Sequence, residues 1–367
     1  MLTSRRSQAR WPAQKHVYYN GAVPATGAYY FVNCLSRRAP AAGPRRATLT
    51  CRRLRRHVHP AADVVLVEFA VNGASIKDTE GIVRRIMHSH GGLNYDPLII
   101  FVNFWNNWPG RNDTYALHPW RSLIDQDDNE SHITVVATYY DCICLSMRYA
   151  YIFEDLHNVS GFSYEDYING GNHPNERGHR MMADLVVNLL LRQSFSRTSL
   201  SPDSIVPVVY KDWLPPPIVD DNRSEQAQSM CSFGKELLVG VQSNSGWVFE
   251  DHPEKPGLWG NASTSELQVA IDVHPPVTIF KVFHLQSWLP EMGTASVECL
   301  PSVCACELTT LNGKGGEHTV MVPSDVPITV SGPGSCLLRF RGQTGSFKLM
   351  GVALSQMAHS FEGASME

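Results

Sequence analysis

"DVVLVEFAVN" (residues 63–72) leads after two residues into "SIKDTEGIVRRIMHSH" (75–90). The first stretch is a continuous apolar run, the pattern of a strand buried on both faces. The second opens with a Ser-x-x-Asp capping pattern and places Ile82, Val83, Ile86 and Met87 on one face, which predicts an amphipathic helix. A buried strand feeding such a helix is one step of a βα alternation, and hence of a parallel sheet between helices.

The pattern extends in both directions. "HVYYN" (16–20), "PLIIFVNF" (97–104) and "HITVVATY" (132–139) read as further buried strands, and "GAYYFVNCL" is helix-like. "GGNHPNERGH" (170–179) runs into "RMMADLVVNLLL", where Met181, Met182, Leu185, Val186, Leu189 and Leu190 recur at helical spacing. Pro174 suits the first turn of that helix. His173 then stands exposed in the preceding loop, where a rigid scaffold often holds catalytic groups.

After residue 200 the text changes. "LPPPIVDDNRSEQAQS" is a proline-then-polar linker, and beyond it the period becomes two: "ELQVAIDV", "VTIFKVFHL", "ASVEC", "HTVMV", "PITVSG", "CLLRFRG" and "SFKLMGVAL". The expected organisation is an α/β domain over 1–200, a linker over 201–230, an antiparallel β-sandwich over 231–357 and a tail over 358–367. "RRAPAAGPRRATLTCRRLRRHVHP" (37–60) interrupts the α/β domain with eight arginines and no usable periodicity, and reads as a solvated insertion or as spurious coding sequence.

The totals narrow the classes. A chain of 367 residues with 43% hydrophobic and 18% charged content has ample material for a core. Its net charge of −4 argues against nucleic acid as a partner, and no apolar run is long enough to span a membrane. The first 20 residues lack the apolar core of a signal peptide. Of nine cysteines, Cys299, Cys304, Cys306 and Cys336 crowd together. Disulfides, buried thiols and a metal knuckle are all open readings. The C-x-C spacing lacks a second zinc-type cluster, so at least one disulfide is expected. Sequons at Asn112, Asn129, Asn158, Asn222 and Asn261 lean with the cysteines towards the secretory pathway.

A loop histidine at the C-terminal edge of a parallel sheet is placed to serve as general base beside oxyanion donors. Such donors are present in "NGAVPATGA" (20–28), a glycine-containing turn, and in Asn72 of "VEFAVNG". In order and spacing these three stretches, covering roughly residues 15–195, resemble the SGNH (GDSL-type) hydrolase superfamily. The terminal strands are similar to the sandwich that follows this domain in a plant and algal group. The resemblance implies a flavodoxin-like three-layer α/β/α fold and the hydrolysis of acyl esters of carbohydrate or a similar substrate. It assigns His173 as base, and Gly27 and Asn72 as oxyanion donors. It implies no cofactor or metal, and a small-molecule or carbohydrate ester as substrate.

The chain departs from the family at three points. It has no Gly-Asp-Ser triplet before "HVYYN", where Ser4 and Ser7 lack a preceding strand. The aspartate that should orient the histidine falls on Gly170, with Asp166 or Glu165 as substitutes, and the aspartate after Asn72 is Gly73. The chain as written is therefore expected to be inert, with its first, central strand missing between "HVYYN" and "DVVLVEFAVN". A true start upstream of Met1 would account for both that gap and the missing signal peptide. His179 reads as structural; Trp105 and Trp108 read equally as sugar-stacking or as packing residues. The rival function is a non-catalytic glycan-binding protein on the same scaffold. Nucleic-acid binding through the arginine run is a third reading.

Overall fold

The computed structural model describes residues 17–22, 26–35, 57–59, 62–71, 73–89, 97–104, 129–156, 164–169, 173–198, 214–219 and 231–355, apart from 253–254, 262–263, 274, 276 and 316–318. They fall into two units. One draws on Met1–Gly21 and Arg55–Arg223, the other on Ala22–Leu54 and Ser224–Glu367.

In the first unit β1 (Val64–Val67), β2 (Leu98–Asn103) and β3 (Ile143–Ser146) form a parallel sheet in the order β1-β2-β3. Ile99 to Val102 of β2 are buried, as a strand covered on both faces requires. The helix after β1 forms as its sequence predicts, over Ile76–Ser89 (α2, counting Ala28–Cys34 of the other unit as α1). Ser75 Oγ accepts the Asp78 N–H at 3.0 Å and donates to Asp78 Oδ2 at 2.8 Å, closing the capping pattern. Three further helices follow: α3 (Asn129–Tyr139), α4 (Met147–Leu156) and α5 (Glu176–Thr198).

Three local expectations are corrected. "HITVVATY" is not a strand but most of α3. Its buried residues, Glu130, Ile133, Val136 and Ala137, recur at helical spacing, and packing of that one face overrides the β-branched composition. The strand is the following "ICLS". Residues 17–20 of "HVYYN" form no strand: Val17, Tyr18 and Tyr19 are exposed, and among the described residues β1 has β2 as its one ladder partner. Pro174 lies ahead of α5, because Asn175 caps that helix by accepting the Gly178 N–H at 3.1 Å.

A buried network ties part of the expected linker to this unit. The carboxylate of Glu80, fully buried, accepts hydrogen bonds from the Tyr140 hydroxyl at 2.6 Å and from the N–H groups of Ile218 and Val219. Arg84 donates to the Tyr140 hydroxyl and to the Pro215 carbonyl, each at 2.8 Å. Burial, with Glu80 beside it, raises the Tyr140 phenol above its ordinary range.

The second unit is an antiparallel sandwich. The central strands are β10 (Glu266–Val273), β11 (Ile279–Gln286), β12 (Thr294–Leu300), β15 (Val320–Val330), β16 (Gly334–Thr344) and β17 (Ser346–Ser355). With β6 (Cys231–Phe233), β7 (Val241–Ser245), β8 (Trp247–Glu250), β9 (Gly257–Asn261), β13 (Cys304–Cys306) and β14 (Thr309–Asn312) at the margins, one sheet has the order β14-β12-β16-β10-β7 and the other β13-β15-β11-β17-β9-β8, with β6 also paired to β17. The period of two is visible in β10, whose Leu267, Val269, Ile271 and Val273 face the core. In β11 and β17 both faces are buried, and α1 packs on the outer one at Phe283, Leu285, Met350 and Ala353. Tyr30 of α1 meets Phe233 and Phe283 edge-on, with ring centroids 5.1 and 5.5 Å apart. A disulfide from Cys34, at the end of α1, to Cys231 in β6 (Cys231–Phe233) fixes the helix there.

Two more disulfides, Cys299–Cys306 and Cys304–Cys336, answer the cysteine cluster. The sulfurs of Cys299, Cys304 and Cys336 lie within 4.8 Å of one another because these bonds are adjacent. Among the described residues no helix is long and apolar enough to cross a membrane.

Candidate functional site

The carboxyl ends of β1, β2 and β3 define one edge of the parallel sheet, where open α/β folds hold their ligands. Val71 follows β1, Phe104 follows β2 and Met147 follows β3; these three pack together with Ile168, Met181, Met182 and Leu185. Ile168 belongs to β4 (Ile168–Asn169), which pairs with β5 (His173–Pro174) so that Asn169 stands opposite His173. The hairpin carrying His173 is thus laid over the carboxyl edge by the apolar face of α5. Asn175 secures it, donating to the Asp166 carbonyl at 2.9 Å. Gly178 is required here: a Cβ at that position would run into the Tyr167 carbonyl.

His173 is exposed, and among the described residues nothing hydrogen-bonds its ring. Gly170 and the Glu165 side chain lie outside the described residues, as do Asn72, Trp105, Trp108 and residues 37–56. Asp166 is exposed and engages Asn175 through its backbone. Gly27 is placed differently from His173: it precedes α1 and belongs to the sandwich unit. His179 is exposed in the first turns of α5 and donates its backbone N–H to the Asn175 carbonyl.

The loop that contains Asn72 is held at its described residues. Glu68 accepts the Val71 N–H at 3.4 Å from within, and Asn129 spans Ala70 and Ala74 from α3. Gly73 adopts φ +100°, a backbone conformation that favours glycine over an aspartate. Farther along the edge, Asn103 at the end of β2 is fully buried and donates to Cys144 Sγ at 3.3 Å. Arg148 and Glu130 form an ion pair at 3.2 Å with both side chains almost wholly buried.

Burial pushes the Glu68 carboxyl up to about 7, against backbone hydrogen bonds that pull it down. The folded state therefore binds this proton more tightly than the unfolded chain, and stability falls as pH rises through the interval between about 4.5 and about 7. The loss amounts to about 3 kcal/mol. Glu68→Gln is expected to remove that slope, stabilising the protein at pH 8 and changing little at pH 4.5. Thermal melting across this range would show it, and an unchanged slope would refute it.

Other nucleophile candidates fail on chemistry. Cys142 and Cys144 are free thiols near the same strand, but burial pushes Cys142 up to about 12 and raises Cys144 as well, so neither supplies a thiolate. In the sandwich, His284 Nε2 lies 2.8 Å from Ser324 Oγ, an arrangement reminiscent of a serine and its base. Burial lowers His284 to about 4, far too weak a base for that task.

No family model matches the chain, and no curated protein does. Solved structures do. The chain is similar to the crystal structure of a two-domain esterase (CEX) active on acetylated mannans, with TM-score 0.59 and 16% identity, covering 97% of this chain and 85% of that one. The same esterase co-crystallized with mannopentaose gives TM-score 0.56 at 15% identity, covering 98% and 85%. The two-domain fold is shared. At this identity the likeness carries the architecture, an α/β domain with a β-sandwich, and leaves the chemistry to be argued from the residues.

The sequence reading passed over Glu68, Asn103, Asn129, Glu130 and Arg148. The signal for Glu68 was available: it is the one charge inside "VVLVEFAV". Asn129 was noted for its sequon alone, yet its amide is engaged in the fold.

Proposed function

We propose that this chain is an SGNH-type member of the ester-acting carbohydrate hydrolases, built around acyl esters of a mannan-like glycan. The observation that carries the reading is the exposed His173 on a hairpin laid over the carboxyl edge of the parallel sheet, beside the 70–74 loop. The shared fold with an esterase active on acetylated mannans supports the substrate class. In this reading His173 is the general base and the Asn72 amide holds the oxyanion, while Gly27 is carried as second donor by the family resemblance alone. The sequence contains no Gly-Asp-Ser triplet, so residues 1–367 supply the ester site without its serine nucleophile. Three disulfides support an oxidising compartment, secretory or extracellular.

Two measurements test this. Chemically acetylated mannopentaose should bind more tightly than the unacetylated sugar, and His173→Ala should reduce that preference; equal binding of both sugars refutes the ester site. A fluorophosphonate probe should leave the chain unlabelled. Labelling together with p-nitrophenyl acetate turnover lost in His173→Ala would show that another serine acts as nucleophile.

A further inference from the structure

We propose that Asn261 is a glycosylation site and that its glycan screens the open edge of the sandwich at β8. The inference rests on the oxidising-compartment reading given above. Asn261, Ala262 and Ser263 form a sequon, which alone says little. Its placement says more. Asn261 ends β9 and is exposed. Along that strand Leu258 faces the core, and a Cβ on Gly260 would strike the Trp247 ring, so Trp259 and Asn261 face outward. Ser346, the partner of Asn261 in β17, donates its hydroxyl to Asn261 Oδ1 at 3.0 Å and so holds the amide by its oxygen. Nδ2, the atom that bears a glycan, has no hydrogen-bond partner among the described residues.

Asn129, the other sequon asparagine among the described residues, makes the contrast. Its Oδ1 accepts the Ala74 N–H at 3.1 Å and its Nδ2 donates to the Ala70 carbonyl at 3.2 Å, so that amide is used within the fold. The transfer itself needs a lipid diphosphate-linked oligosaccharide as donor. Asn261 Nδ2 forms a bond to C1 of the first sugar. The C1–O bond breaks with its electron pair going to the lipid diphosphate, and one proton leaves the nitrogen.

The neighbouring strand gives the glycan its task. Among the described residues β8 ends its sheet and has β9 as its one ladder partner. Trp247 and Phe249 of β8 face the core; Val248, opposite Trp259, faces outward and is 65% exposed. An apolar side chain on an open edge strand invites pairing with another chain, and natural edges are blunted by charge, proline or cover. Glu250 charges one end of β8. Towards the other end, Asn261 is the diagonal neighbour of Val248 on the same face, about 7–8 Å away. A hydrated glycan rooted there lies across the uncharged part of the edge.

Secretion of the full chain from a eukaryotic host, behind a cleavable signal, supplies the compartment and tests the site separately from it. Enzymatic release of N-linked glycans leaves aspartate at each occupied position, and peptide mapping should find Asn261 converted and Asn129 unconverted. A secreted chain with Asn261 unoccupied, or with Asn129 occupied in its place, overturns the site. Reduced thiols at the three bridges in protein from its own cells would defeat the compartment reading instead, and with it the modification there. Ser263→Ala removes the sequon and keeps the Asn261 amide. That variant should lose the glycan and self-associate at concentrations where the glycosylated chain stays monomeric, as light scattering reads. Asn261→Gln serves if Ser263→Ala is not secreted. Val248→Lys in the same background should restore the monomer by charging the edge. A glycan-free chain that stays monomeric, or association that Val248→Lys leaves untouched, overturns the screening role.

Discussion

Removing the Cys34–Cys231 disulfide as the paired Cys34→Ala, Cys231→Ala variant is expected to lower the stability of the sandwich unit by roughly 5 kcal/mol. The bond closes 197 residues of sequence, so breaking it returns a large loop-closure entropy to the unfolded chain. It also releases α1 from the outer face of β11 and β17, where Phe283, Leu285 and Met350 would meet water if the helix left. Calorimetry should resolve one transition for each unit, and the sandwich transition should fall by roughly 10–20 °C. A shift of only a degree or two would mean that packing alone holds α1 in place.

The second large effect belongs to the other unit. Glu80→Leu is expected to cost about 3–5 kcal/mol. The substitution leaves the N–H groups of Ile218 and Val219 and the Tyr140 hydroxyl without their acceptor, and leaves the buried Arg84 without the carboxylate's charge. Tyr140→Phe should cost less, about 1–2 kcal/mol, because the carboxylate keeps its backbone donors. Calorimetry serves again, and the two variants assign each other's transitions. If Glu80→Leu moved the transition that the disulfide variant moves, the division of the chain into these units would be mistaken.

Legibility in the sequence followed the range of the physics. Where one element's own burial pattern sets its state, reading was direct: β10 and β11 follow the alternation and apolar runs of "ELQVAIDV" and "VTIFKVFHL", and α2 begins at the predicted Ser75–Asp78 cap. Where state depends on a partner, local reading failed. The β-branched "HITVVATY" becomes helix because Ile133, Val136 and Ala137 must lie on one packed face. "HVYYN" has strand-like residues but no ladder neighbour among the described residues. The helix over Ala28–Cys34 was readable as a helix; its docking on the sandwich was not, because Phe233, Phe283 and Cys231 lie about 200 to 250 residues away in the chain. His173 stood out because Pro174 and the apolar spacing of the helix after it set the histidine in a loop on a rigid scaffold. The Asn129 amide bridge did not, since it lies in contacts with residues 70 and 74.

The interleaving of the two units, with Ala28–Cys34 built into a sandwich whose described strands come after Ser224, has a consequence for vectorial synthesis. Cys34 leaves the ribosome 197 residues before its partner, an interval of about 10–40 s at ordinary elongation rates. During that time the helix has no sheet to cover, and its thiol waits among Cys51, Cys142 and Cys144, which emerge earlier than Cys231. Premature oxidation within this nascent segment would trap α1 away from β6. Recovery would require thiol–disulfide exchange, which makes the yield of native protein sensitive to disulfide isomerase during translation.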